Sequence, residues 1–564
     1  MSIADIRSPT VLLLLAAGAV FYLSNGYTEM AGSDMWWHIA AGRELIQTGS
    51  LWMVDDWSYS AHGADWLNHE WLSDIIYYAW VSQWGVASLV YWKWLVIIAT
   101  FVLLQLVLAR QTGNHLAALL CSAVAVAIAA PFLDVRPHLY SLLNFSLLLL
   151  LLLGREPRVW LLGLLFVIWV NLHGGFFFGL MAAAILLFPW RKFSLDALRA
   201  AVLIGLVCLL AATLNPSGVK TFLYPLKYAF DESSPFRQLG EWLPPFQQGG
   251  IQSPLFFTFM WAPLLGLLYF LPRIRKSVDM PLEGVFLTLL TLAMALTSRR
   301  FIPLFGMSLA IMMAPLVALC FDKLRLQRFA AALALAALVF AGYRLTPYPL
   351  ASGPAFHYLT AEYSYPVDML NFVEENGIQG KVYALYNWGG YIHWRMDGRL
   401  KVYIDGRADT IYDAQAYYNY IKVLTSRPGW IESIESSGAE YIMWPHINKR
   451  GREKLQQLRA TGRWKPVYRD AVSWMVVRQS VNSPERFRPS PDSPWRDMSV
   501  AQISAWNGQP GTAISYAEKT REVIPWHKGA CNLLSGTLRS QEKQDQADTV
   551  MEECRAYFPS AYLR

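Results

Sequence analysis

Two short stretches carry the groups that proton transfer needs. Asp34 and His38 lie in Ser33-Asp34-Met35-Trp36-Trp37-His38-Ile39, and His69 and Glu70 lie in Trp66-Leu67-Asn68-His69-Glu70-Trp71. A carboxylate can take the proton of an attacking hydroxyl and an imidazole can pass one on, so these four are the catalytic candidates. A second set is basic or hydrogen-bonding: Arg136, His138, Asn171, His173, Arg299 and Arg300. Guanidinium groups grip phosphate oxygens through paired N–H bonds and favour the charge that grows on a departing phosphate. Together the two sets describe a displacement in which a base activates the acceptor and arginines receive the leaving group. Each also has a structural reading. Asp34 caps a helix, a contact worth about 1 kcal/mol. The arginines snorkel to headgroups or pair with Asp134.

The elements that would position these residues are apolar. Of 564 residues 54% are hydrophobic and 16% charged, and the apolar residues fall in blocks rather than in alternation. Blocks of roughly 17 to 22 residues, enough to cross about 30 Å of hydrocarbon, recur as far as residue 345. They predict about eleven membrane helices, near residues 9–26, 86–109, 115–133, 138–154, 158–172, 174–190, 198–214, 254–272, 281–297, 301–320 and 328–345. The first block has the length of a signal peptide but no convincing small-residue cleavage site, and is taken as the first membrane helix. With the N-terminus in the cytoplasm, alternate turns hold Arg110, Arg155 and Arg158, Arg191 and Lys192, Arg273, Arg275 and Lys276, and Lys323, Arg325 and Arg328. That is the positive-inside pattern, and it places residues 27–85, 215–253 and all that follows Leu345 in the periplasm of a bacterial inner membrane. The net charge of +7 is explained by topology, so no nucleic-acid partner is expected.

In the first outer loop, Asp34 opens a segment ending at Gly49 whose Trp36, Trp37, Ile39 and Ala40 suit a helix lying in the membrane interface. Here the sequence resembles the GT-C superfamily of membrane glycosyltransferases, which carry an acidic residue after the first helix and an amphipathic helix in that loop. The resemblance covers residues 1–345 as an architecture and this loop at residue level. It implies a polyprenyl-phosphate sugar donor, an acceptor glycan, lipid or protein of the cell envelope, inversion at the sugar carbon and Asp34 as general base.

After about Tyr365 strand-like stretches at Lys381–Tyr386, Lys401–Ile404, Tyr441–Trp444 and Trp474–Arg478 alternate with helices, which reads as a small α/β domain over 346–480. Its polar turns hold Asn387 and Trp388, in Tyr386-Asn387-Trp388-Gly389-Gly390, and Asp405 and Arg407; with Asp56 these are the acceptor or accessory candidates. The first turn is similar to the aromatic acceptor motif of oligosaccharyltransferases but lacks its aspartate, so no peptide-reading role is carried over. Asp405 and Arg407 equally suit an ion pair that fixes the turn. Residues 481–564 read as a linker and a short tetratricopeptide-like helical tail, in which Cys531 and Cys554 meet if two helices run antiparallel. No cofactor is required, the acids leave room for a divalent metal, and no metal-ligand spacing is present. A lipid or glycan transporter and a non-catalytic membrane scaffold remain alternatives.

Overall fold

The computed structural model describes residues 8–27, 34–230, 239–346, 350, 353, 357, 359–360, 364–446, 448–482, 486–491 and 495–557. Ser33 and parts of the 481–495 linker lie outside them. The chain forms two compact units: one of residues 1–28, 67–76 and 89–346, the other of residues 29–66, 77–88 and 347–564.

The first unit is helical, and it overturns the expectation of eleven membrane spans. Among the described residues four helices are long and apolar enough to cross a membrane by length and composition: Val86–Thr112, His115–Phe132, Arg299–Lys323 and Leu326–Leu345. The other apolar blocks are cut short by their own punctuation. Val159–Leu172 stops where His173 turns extended, and Phe176–Leu187 stops ahead of Pro189. The 254–272 block, with Pro254, Pro263 and Pro272, divides into Pro254–Phe259 and a 3-10 segment, Ala262–Phe270. Helices of 12 to 17 residues reach only about 18–26 Å at 1.5 Å per residue, short of about 30 Å of hydrocarbon. A window of apolar composition is blind to such stops.

The long helices are built as hairpins. Gly113, at φ +69°, closes one helix, and the Asn114 side chain caps the next by accepting from Ala117 N at 2.9 Å. Asn114 also donates to Asp322 at 3.0 Å, which ties this turn to the end of the 302–323 helix. Toward the opposite ends of these helices Gly306 permits close contact, since a Cβ would lie 3.1 Å from the Ala125 carbonyl. Small residues at such crossings let helix backbones approach.

The second unit centres on a five-stranded sheet of β3 (Gly380–Ala384), β4 (Leu400–Val402), β5 (Tyr441–Pro445), β6 (Trp464–Arg469) and β7 (Ser473–Arg478), in the order β4-β3-β5-β7-β6. β3 runs parallel to β4 and β5, and β7 antiparallel to β5 and β6. β6, at the sheet edge, has no counterpart in the sequence reading because Pro466 interrupts its run; the register shift between Pro466 and Tyr468 accommodates it. Residues 29–66 and 77–88 of the first loop region belong to this unit. Its hairpin of β1 (Met53–Val54) and β2 (Asp65–Trp66) leads residues 57–59 onto the outer edge of β4, where Val402 N donates to Trp57 O and Tyr59 N to Val402 O, each at 3.0 Å.

The helix Asp34–Thr48 packs its tryptophans into protein rather than leaving them for an interface. Trp36 meets Tyr365 and Tyr391 edge-on, at 5.5 and 4.6 Å between ring centroids. Trp37 lies against the backbone of Gly390, where a Cβ would come within 2.9 Å of it. Helices 496–506, 510–523, 528–540 and 544–557 form the tail. Their small faces, Ala501, Ala517 and Ala530 around Leu534, make one core, and Ser499 Oγ accepts from Ala471 N of the sheet domain at 3.0 Å. Cys531 and Cys554 form a disulfide with their Cα atoms 6.3 Å apart. In the chain-entropy account a bridge of this loop length stabilises by about 3 kcal/mol.

Candidate functional site

Within the first unit a chain of polar side chains runs along helix ends. Glu70, buried, stands between two histidines: its Oε1 is 3.6 Å from His69 Nε2 and 3.7 Å from His173 Nε2. Local structure holds each in place. Asn68 accepts from Glu70 N at 3.3 Å and donates to buried Asp74 at 2.8 Å, folding residues 68–74 into the turn that opens the 71–84 helix. Ser73 Oγ donates to Leu172 O at 2.5 Å, which brings that turn to the end of the 159–172 helix and to His173.

Both ring nitrogens of His173 have polar neighbours. Gly175 N donates to Nδ1 at 3.0 Å, and Ser141 Oγ, which itself accepts from Trp169 Nε1 at 2.8 Å, lies 2.7 Å from the same nitrogen. Nδ1 accepts from Gly175, whereas Arg300, which can only donate, faces Nε2, and one neutral ring cannot accept at both nitrogens. Burial, then Arg300 and the neighbouring histidines, push the His173 pKa well below its usual range, so the ring is neutral near pH 7. A side chain at position 175 would overlap Ser141 Oγ, which is why glycine follows the histidine.

Arg300 Nη2 lies 3.0 Å from His173 Nε2, and the guanidinium stacks 4.8 Å above the Trp242 ring. Its Nη1 is 3.4 Å from Glu241 Oε1, and Arg136 Nη2 is 2.6 Å from the other Glu241 oxygen. Arg136 also meets Asp134 at 3.0 Å, and Asp134 stands 3.6 Å from His138. His138 Nε2 lies 2.6 Å from the Phe132 carbonyl. Glu241 was not singled out in the sequence. The signal for it is electrostatic: two arginines at outer helix ends need a carboxylate from elsewhere, and the 215–253 loop is where one is available. Burial alone would raise the Glu241 pKa, but Arg136 and Arg300 outweigh it and hold the carboxyl at about 2.

That depression has a pH consequence. A carboxylate whose pKa falls on folding contributes stability above its unfolded value and loses it as pH falls through the folded one. The melting temperature of the native chain should therefore exceed that of Glu241→Gln by a constant margin above about pH 5. The margin should shrink below the ordinary 4.5 and vanish near 2. Thermal scans of both proteins in one detergent across that range check it; a margin independent of pH would show that the ion pairs contribute nothing.

Other candidates lie elsewhere or are otherwise engaged. The Arg299 guanidinium is fully buried and donates to loop carbonyls, Pro244 at 3.1 Å and Gly240 at 3.5 Å among them, with Gly249 and Gln247 as further acceptors. It pins the loop that carries Glu241, and these carbonyls take up its N–H groups. Asn171 accepts from Trp71 at 2.6 Å and Asn215 at 3.0 Å and donates to the carbonyls of Val167 and Leu214. Its amide is engaged within the protein and positions the start of the 71–84 helix.

The remaining candidates are in the second unit. Asp34 begins its helix beside Gly406, where a Cβ would meet Asp34 Oδ1 at 3.1 Å. His38 is buried, its ring 3.6 Å from that of Trp37 between centroids. Asp56 is at the surface near Lys401 at 3.5 Å, Asn387 is exposed, and Trp388 is buried. Asp405 and Arg407 form a wholly buried ion cluster with Asp55, a residue the sequence reading passed over for Asp56. Arg407 meets Asp405 at 2.8 Å and Asp55 at 2.7 Å, bonds Tyr412 at 3.0 Å, and lies over the rings of Trp57 (4.4 Å) and Trp66 (4.9 Å). It joins the first loop to the turn after β4 and has no face left for an acceptor. Among the described residues no group of three or more His, Cys, Asp or Glu is arranged to hold a metal ion.

No protein-family model matches the chain, and no curated protein matches its sequence. The likeness to GT-C enzymes therefore rests on the residues of the first loop alone.

Proposed function

We propose that this chain is a membrane glycosyltransferase that moves a sugar from a polyprenyl-phosphate donor to a cell-envelope acceptor. The observation that carries the reading is the convergence at His173: Arg300 Nη2 lies 3.0 Å from its Nε2, with the Glu70 carboxylate 3.7 Å from the same nitrogen. A guanidinium at this position suits an oxyanion that accepts its N–H groups. A carboxylate beside it suits a base. In the proposed step the acceptor oxygen bonds to the anomeric carbon as the carbon–phosphate oxygen bond breaks. The acceptor proton passes to Glu70, and Arg300, with Arg136 behind it, receives the charge on the phosphate. One carboxylate suffices for inversion because no covalent sugar intermediate forms. Asp34, the base implied by the GT-C resemblance, is the competing candidate on the other unit.

The two turns joining the long helices support a side for this site. Arg110 stands at one, and Lys323, Arg325 and Arg328 stand at the other, so both turns are read as cytoplasmic. The opposite ends, at Phe132 and Arg299, are those next to the cluster. The Cys531–Cys554 disulfide suits an oxidising compartment. The reading is tested by binding of polyprenyl phosphate to the full chain in detergent. Arg300→Ala and Arg136→Ala should each weaken it by about 10- to 150-fold, the worth of a charge-assisted hydrogen bond at 1.5–3 kcal/mol. Unchanged affinity in both would remove the anion site and the function built on it.

A further inference from the structure

We infer that the turn from Ile46 to Val54 inserts into the headgroup region of the bilayer and ties the second unit to the membrane surface. The turn is exposed and apolar: Ile46, Leu51, Trp52 and Val54 are all exposed, Trp52 to 63%. From Leu45 to Val54 there is no charged residue, while Arg43 and Glu44 precede the stretch and Asp55 and Asp56 follow it. It is also ordered by its own bonds. The helix before it closes at Gly49, φ +64°, whose N–H donates to Leu45 O at 3.0 Å. Thr48 Oγ1 accepts from Ser50 N at 3.3 Å, and Ser50 Oγ donates to Trp52 O at 3.0 Å and accepts from Trp52 N at 3.1 Å. Backbone groups paired within the turn lower the cost of leaving water.

Lipid is the occupant these features fit. A tryptophan among aliphatic side chains places an apolar ring and one N–H at the headgroup boundary, where such residues concentrate. A protein partner would ordinarily meet a charged or polar rim around the apolar centre; this stretch has no charged residue, and its Thr48 and Ser50 side chains are bonded within the turn. The same unit also runs into lipid by covalent continuity: Trp84, 62% exposed, stands just before Val86, where a membrane-length helix begins. The turn that joins β1 to β2, with exposed His62 and Gly63 at its tip, exposes no large apolar side chain and serves as the comparison.

The test uses the full chain in lipid nanodiscs, with Cys320, the exposed free thiol, replaced by serine. An environment-sensitive fluorophore is attached at Trp52→Cys, at Leu51→Cys, or at His62→Cys. With brominated acyl chains in the disc, emission at positions 51 and 52 should be blue-shifted and fall by about half or more, as for a group 5–10 Å into the interface. Emission at position 62 should not change. Unquenched emission at both 51 and 52 overturns the inference. If it is red-shifted the turn stands in water, and if it is blue-shifted a protein partner or a second copy covers it instead.

Discussion

Glu70→Gln should lower sugar transfer by about 100-fold or more, the usual worth of a general base, while binding of polyprenyl phosphate stays within a few-fold of native. The amide keeps the size of the side chain and loses the ability to accept the acceptor proton. Glu70 is the carboxylate beside the His173–Arg300 pair, at 3.7 Å from the ring nitrogen, so loss of rate without loss of donor binding separates a base from a binding group. Asp34→Asn, measured in the same single-turnover assay, separates the two candidates. If Asp34→Asn abolishes transfer and Glu70→Gln retains more than about a tenth of it, Glu70 is not the base, and the catalytic carboxylate belongs to the unit built on the first loop.

Arg407→Leu should destabilise the second unit by about 3–5 kcal/mol, because it strands Asp55 and Asp405 as buried unpaired carboxylates. Both acids and the arginine have no solvent-exposed side-chain surface. Lysine should not rescue it. One ammonium cannot reproduce the forked bonds to Asp405 or the stacking on Trp57 and Trp66. Adding Asp55→Asn and Asp405→Asn to Arg407→Leu should recover part of the loss, since neutral amides cost less to bury. Denaturant unfolding of the full chain, followed by resistance of the second unit to proteolysis, reads the effect. A loss under about 1 kcal/mol would show that water or relaxation screens the cluster.

Much of the element order is present in the sequence because it depends on local rules. The four long helices, to within two or three residues at their ends, and the positions of β3, β4, β5 and β7 follow from apolar runs, periodicity and turn chemistry over a few residues. Where local rules compete, the reading fails. The eleven spans rested on average apolar composition, and proline and extended caps such as His173 broke several of those blocks into helices too short to cross. β6 was hidden by Pro466, which an edge strand tolerates because its outer side needs no ladder partner.

The candidate residues divide along the same line. Residue type alone marked Glu70, His69, His173, Arg136 and Arg300 as groups able to move protons or hold an anion, because a carboxylate, an imidazole or a guanidinium has its chemistry wherever it lies. Whether each is available for that chemistry depends on partners far away in the chain. Glu241 reaches Arg136 across 105 positions, Asn215 engages Asn171 across 44, and loop carbonyls about 50 to 60 positions before Arg299 consume its guanidinium. Trp36 and Trp37 were amphipathic by sequence and are buried by the 389–396 helix and the Gly390 and Gly406 backbones. The sequence thus determined the chemical repertoire and most of the local elements. Tertiary structure decided which groups remain usable, because a charged or apolar side chain is satisfied by whatever the fold brings within a few ångströms of it.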